Sequence, residues 1–239
     1  MQNATALNEK GKVKREFQSA YVLPLAFGMV EPEEIDTMVE NLQKLIDKNG
    51  GHIATGFPGT PYILYALSDN ERSDLAYKLL LQETCPSWLY EVKAGATTIW
   101  ERYDALREDG TVNFGDEKKK NDDSDGGMVS FNHYANGAVG AYERCLGLEA
   151  TEGGYKKFRF KPVIGGNLTW AKGSLKTSFG TIAAKWSIEE NMLTMEIDVP
   201  SQTRCELIFP DGEIHSLESG HWEYKKEWKG EDEDEKDGL

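Results

Sequence analysis

The chain has 239 residues, 39% of them hydrophobic and 28% charged, and a net charge of −14. That length fits one large domain or two ordinary ones, and no run of about 18 or more apolar residues is present to span a membrane. Six acids and one lysine between Glu231 and Asp237 supply −5 of the charge and leave −9 on the rest; a body this acidic repels phosphate backbones, so nucleic acid is excluded as an expected partner while a neutral ligand is not.

Cys85, Cys145 and Cys205 are far apart and odd in number. They form neither a disulfide framework nor a metal-ligand spacing, so buried free thiols are expected, with no metal and no cofactor. Met1-Gln-Asn-Ala lacks the basic-then-apolar pattern of a secretory leader, which makes the cytoplasm the default location and the glycosylation triplets at Asn3 and Asn167 chance matches.

Residues 1–16 are polar and aperiodic and are expected to be poorly ordered. Ala20 to Met29 reads as a short helix with Pro24 near its first turn. Glu31-Pro32-Glu-Glu34 then starts a longer helix, with proline and acids in the first turn. Its apolar stripe is Ile35, Met38, Val39, Leu42, Leu45 and Ile46, and Gly50-Gly51 ends it. The turn-rich stretch from His52 to Pro61 either lines a pocket or simply joins two helices, the plainer reading. A further helix opens at Pro61, and Ser73 is placed to cap the next, whose stripe is Leu75, Ala76, Leu79 and Leu80.

Chemistry concentrates in Gly95-Ala-Thr-Thr-Ile-Trp100-Glu101-Arg-Tyr103-Asp104. A carboxylate follows a large flat aromatic, a second carboxylate comes three residues on, and three β-branched residues stiffen the approach. Upstream lies the aromatic cluster Pro86-Ser-Trp88-Leu-Tyr90; downstream lies Ser130-Phe-Asn-His133-Tyr134. Carboxylate, indole and imidazole suit a site that binds a sugar ring and activates water. The bland alternative is a Glu101 ion-paired with Arg102 or another base on a surface turn. Between the two motifs, Arg107 to Gly127 is rich in Asp, Glu, Lys and Gly and reads as an exposed loop. Ser130 can cap a long helix with apolar positions from Phe131 to Leu146. His133, Asn136, Gly137 and Gly140 fall on another face, where small side chains let a backbone or a ligand come close.

From Gly153 the period changes to two, as in Leu193-Thr-Met195-Glu-Ile197-Asp-Val199. Strands are expected at 158–163, 167–179, 182–188, 193–199, 204–210 and 222–228, with turns at Gly165-Gly166, Asn191, Pro200-Ser201 and Asp211-Gly212. This spacing argues for an antiparallel β-sandwich. The class is therefore α+β: a helical part over 17–150, a sandwich over 151–228, and an acidic, disordered tail over 229–239.

Thr55-Gly-Phe57-Pro-Gly-Thr60, Leu79-Leu-Leu-Gln82, Pro86-Ser-Trp88, Gly95-Ala-Thr-Thr-Ile-Trp-Glu-Arg102, Ser130-Phe-Asn-His-Tyr134 and Leu168-Thr-Trp-Ala171 resemble, in type and order, the bacterial α-L-rhamnosidases of glycoside hydrolase family 78. The resemblance covers roughly residues 15–227. It implies a partial (α/α)6 barrel, its closing helices, followed by the sandwich. It also implies hydrolysis of terminal α-L-rhamnose from rhamnose-containing glycosides with inversion, by one carboxylic acid and one carboxylate.

By the same resemblance Glu101 is the general base, His133 contacts the sugar, and Trp100 packs on or supports the apolar ring face, a structural role being the alternative. Tyr103 stands where the family more often has a second tryptophan. The family's general acid lies in an Asp- and Arg-rich loop that nothing in residues 1–50 matches, so the chain reads as a C-terminal portion carrying the base without the acid, weak or inactive alone. An uncovered barrel face implies self-association or pairing with an upstream fragment. The competing reading is a non-catalytic rhamnose- or glycan-binding module using Trp100, His133 and the sandwich face; a degenerate, inactive product is the third.

Overall fold

The computed structural model describes residues 13–56, 58–100, 102–113, 140 and 142–230. The chain forms two compact units, Met1–Gly140 and Ala141–Leu239.

The first unit is helical: α1 Gln18–Ala26, α2 Ile35–Lys48, α3 Ile63–Ser68, α4 Ser73–Leu80 and α5 Trp88–Lys93. Helix α1 packs on α2 and on α3, and α3 packs on α4. The stripe of α2 behaves as its period requires: Met38, Val39, Leu42 and Ile46 are buried, as are Tyr21, Val22 and Leu25 of α1 and Ile63, Leu64 and Leu67 of α3. Each such side chain contributes about 1.5–3 kcal/mol of apolar transfer. Gly50 takes φ +69°, and the amides of Gly50 and Gly51 close on the carbonyls of Asp47 and Ile46, so α2 stops where the glycine pair indicates.

Two helix starts differ from expectation. Helix α1 begins at Gln18, after an extended Phe17, so Pro24 falls in its last turn and not its first. The early start is possible because the buried Gln18 amide bonds loop backbone on both sides: it donates to the His52 carbonyl at 3.0 Å and accepts from the Ala54 amide at 2.7 Å. Ser73 is the first helical residue of α4 and not its cap; Arg72 precedes the helix, and its guanidinium pairs with Asp74. The loop from His52 is a tied connection. Its imidazole bonds the Thr84 hydroxyl at 2.8 Å, and the buried hydroxyls of Thr55 and Thr60 lie 2.7 Å apart. At the N-terminal side Val13 is already buried, and the Tyr21 hydroxyl donates to Glu16. Residues 1–12 and Phe57 lie outside the described residues, as does most of the helix expected after Ser130. Its described end is Gly140, where an added Cβ would sit 3.0 Å from the Tyr65 ring, followed by a π turn at Tyr142–Leu146 in the second unit.

The second unit is a sandwich of two four-stranded sheets. Its strands are β1 Leu148–Ala150, β2 Lys157–Phe160, β3 Trp170–Thr177, β4 Gly180–Glu189, β5 Met192–Val199, β6 Arg204–Ile208, β7 Ile214–Leu217 and β8 Gly220–Glu227. One sheet runs β1-β2-β6-β7 and the other β3-β4-β5-β8. All pairings are antiparallel except β2 with β6, which run parallel because the chain crosses to the other sheet and back between them. Leu193, Met195, Ile197 and Val199 point inward as the alternation requires and share one core with Phe158, Phe160, Trp186 and Leu207. The indole N–H of fully buried Trp186 donates to the Cys145 carbonyl at 2.7 Å. Strands β1 and β7 carry too few residues for alternation to reveal them. Residues 231–239, expected to be disordered, lie outside the described residues.

Candidate active site

Helix α5 is the scaffold of the aromatic–acidic motif, although its six residues carry little helical signal of their own. Ser87 caps it: the buried Ser87 hydroxyl accepts from the Tyr90 amide at 3.1 Å. At the other end Gly95 adopts φ +85°, and two amides turn back, Gly95 to the Val92 carbonyl and Ala96 to the Glu91 carbonyl. This left-handed stop is cheap only for glycine. The first residue of the motif is thus a helix terminator, and it reverses the chain so that the stretch toward Trp100 returns to α5.

Trp100 arrives there 5% exposed. Its ring meets Tyr90 edge-on at 6.3 Å, and Tyr103 meets Trp88 in the same way at 5.7 Å. The Tyr90 hydroxyl donates to the Leu106 carbonyl at 2.8 Å, so one residue of α5 grips the segment on both sides of the motif's centre.

Beyond it the chain forms a small hairpin. Leu106 bridges Val112, the Asp109 carboxylate receives the Thr111 amide and hydroxyl, and Gly110 turns with φ +79°. The loop expected from Arg107 onward is therefore ordered by its own turn chemistry as far as Asn113, whose side-chain amide donates to Asp104 at 2.6 Å. That bond gives the second carboxylate of the motif a structural partner.

Glu91 is the residue the sequence did not single out. It sits in the middle of α5, only 3% exposed, where it reads as one more polar residue of a short helix. One carboxyl oxygen, Oε2, accepts from the Trp100 amide at 3.1 Å. Burial pushes its pKa up to about 7, and the Trp100 amide offsets part of that rise. The carboxyl thus changes charge near neutrality, directly beneath the backbone that leads into Glu101. Nearby, burial and then the charges of Asp104 and Glu108 raise the thiol of half-buried Cys85. The only available hint was composition: an acid inside an aromatic cluster.

Of the residues expected to carry function, Trp100 is placed on α5 as above, while Glu101 and His133 lie outside the described residues. In the second unit, the outer face of the β3-β4-β5-β8 sheet exposes Trp170, 57% accessible, with the Lys172 ammonium 5.8 Å from its ring centre. The neighbouring charges pair among themselves, Lys185 with Glu196 at 2.8 Å and His221 with Asp198 at 2.7 Å.

Residues 1–143 match the family model of the bacterial α-L-rhamnosidase 6 hairpin glycosidase domain, and residues 147–222 that of the bacterial α-L-rhamnosidase C-terminal domain. An α-L-rhamnosidase of Formosa agariphila is 36% identical over 218 residues, which are 90% of this chain and 22% of that protein. One of Streptomyces avermitilis is 35% identical over 202 residues, 84% of this chain and 18% of its own length. Among solved structures, Streptomyces avermitilis α-L-rhamnosidase complexed with L-rhamnose superposes with a TM-score of 0.82 at 31% identity, over 95% of this chain and 23% of that one. The native Aspergillus terreus enzyme does so with 0.80 at 32%, over 92% and 25%. The chain therefore spans about a fifth to a quarter of the length of the relatives it matches.

Proposed function

The chain belongs to the bacterial α-L-rhamnosidases with a six-hairpin glycosidase domain, and from that premise we propose that it supplies the base side of an inverting site for terminal α-L-rhamnose. Glu101 takes the proton of the attacking water, His133 binds the sugar, and Trp100 supports the sugar-facing wall. The observation that carries the reading is the anchoring of the motif: α5 holds Trp100 by a hydrogen bond that the Trp100 amide donates to the Glu91 carboxyl and by a ring contact to Tyr90, immediately before the proposed base. A base needs that rigidity, because misplacement of a reacting group by about 1 Å costs roughly 10²-fold.

In an inverting pair the two carboxyl groups stand roughly 6.5–9.5 Å apart with the water between. The acid of that pair comes from protein outside these 239 residues. Phe27 and Met29 at the end of α1, with Tyr62 against Phe27 at 4.9 Å, form an exposed apolar surface that such protein would cover.

The test follows from the chemistry of the leaving group. An aryl rhamnoside such as the p-nitrophenyl compound departs as a stable anion without protonation; an alkyl rhamnoside does not. The purified chain is expected to release p-nitrophenol slowly and to leave alkyl rhamnosides intact, since each missing acid or base costs roughly 10²–10⁴-fold. Glu101→Gln removes the aryl activity. Efficient cleavage of an alkyl rhamnoside by the chain alone sinks the assignment of the acid to another segment, and an aryl activity untouched by Glu101→Gln sinks that of the base.

A second reading, a glycan-binding module without catalysis, is favoured by exposed Trp170 on the outer sheet face. Calorimetric titration with L-rhamnose separates them: loss of binding in Trp170→Ala but not in Glu101→Gln selects the module.

A further inference from the structure

We propose that Glu91 is the positioning residue of this site, a single side chain that fixes the peptide entering Trp100, the residue before the base. The inference rests on the reading of Glu101 as that base. Glu91 holds both ends of the stretch Ala96 to Trp100. Its backbone carbonyl receives the Ala96 amide at 3.0 Å, and its carboxyl oxygen Oε2 receives the Trp100 amide at 3.1 Å. The first bond belongs to the helix stop and forms wherever Gly95 turns the chain. The second depends on the side chain alone.

The Trp100 amide is buried with its residue and needs an acceptor. No strand of the unit runs alongside residues 97–100 among the described residues, so there is no ladder to provide one. A carboxyl carried on α5 does so instead. The ring contact between Tyr90 and Trp100 orients the indole but leaves the peptide free to rock about it, because an edge-on contact is not directional along the chain. The Glu91–Trp100 bond removes that freedom: it fixes the Ile99–Trp100 peptide plane and so the Cα of Trp100, the residue that precedes the base in sequence. In this reading Glu91 acts through Trp100.

The experiment compares wild type, Glu91→Gln and Glu91→Leu in the full 239-residue chain. Backbone amide exchange is read by mass spectrometry, and affinity for L-rhamnose by calorimetry. At about pH 5, where the wild-type carboxyl is protonated in the folded chain, glutamine keeps an acceptor oxygen and is expected to match wild type within about threefold in both readouts. Leucine removes the acceptor and is expected to speed exchange over 96–101 about tenfold, the effect of losing one buried hydrogen bond, and to weaken L-rhamnose binding by a similar factor. Exchange in α2 is expected to stay at its wild-type rate, which a general loosening of the unit would not allow. If the leucine variant fails to fold, Glu91→Asp, too short to reach the Trp100 amide, replaces it with the same expectation. Unchanged exchange over 96–101 in the leucine variant overturns the proposal, and so does a glutamine variant as defective as leucine. Absence of any L-rhamnose binding in wild type overturns the proposed function instead, and the exchange data then still decide whether Glu91 sets this peptide.

Discussion

Replacing Glu91 by glutamine removes a titration whose effect on stability has a definite sign. The folded state raises this carboxyl from an ordinary 4.5 to about 7, chiefly by burial. Between those two pH values the folded chain holds a proton that the unfolded chain has released, so stability falls as pH rises through the window. The contribution is fully present below about 4.5 and gone above about 7. The span corresponds to about 3 kcal/mol at about 1.4 kcal/mol per pH unit.

Glutamine keeps the shape and an oxygen for the Trp100 amide but never charges. Urea unfolding of both chains, followed by tryptophan fluorescence from pH 4.5 to 8, reads the difference. The variant is expected to gain on wild type steadily with rising pH, by up to about 3 kcal/mol at pH 8, and to be nearly level with it at pH 4.5. Carboxylates lowered by their partners, such as Asp109 beside Thr111 and Glu152 beside Lys157, act in the opposite direction but are common to both chains and cancel. A flat difference between the two chains across this range, or one in which wild type gains as pH rises, refutes a buried, proton-holding Glu91.

Gly95→Ala places a Cβ in the left-handed region at φ +85° with no atom to obstruct it; a loss of about 1–2 kcal/mol in the helical unit is expected from chemical denaturation, purely from the backbone. Trp186→Ala empties the centre of the sandwich and strips the Cys145 carbonyl of its donor, and is expected to lower the stability of that unit by about 3–5 kcal/mol while leaving amide exchange in α2 unchanged. Iodoacetamide at pH 8 is expected to label Cys85 and Cys145 ahead of Cys205, which is buried and whose thiol burial pushes up to about 12; peptide mapping checks the order.

Much of the fold is legible in the sequence. The stripe of α2 and the inward row on β5 follow from periods of 3.6 and two, and both periods survive because each element buries only one face. Where that condition weakens, so does the reading. Strands β1 and β7 hold three and four residues, too few to show a period. Pro24 falls at the far end of α1 because the helix begins early, at Gln18, whose buried amide bonds a loop some 34 residues away. The parallel pairing of β2 with β6 depends on strands lying between them in sequence but on the other sheet.

At the site, the order and spacing of the motifs located Trp100 and pointed to the family, because neighbours in sequence carry a signature whether or not the fold is known. The sequence could not assign Glu91 a role. An acid on a short helix is ordinarily solvated, and its chemistry changes only when other parts of the chain exclude water from it. Only its charge is written locally; helix, burial, the amide it receives and a proton held near neutrality exist only once residues 95–100 fold back over α5, since desolvation is a property of surroundings and not of the residue.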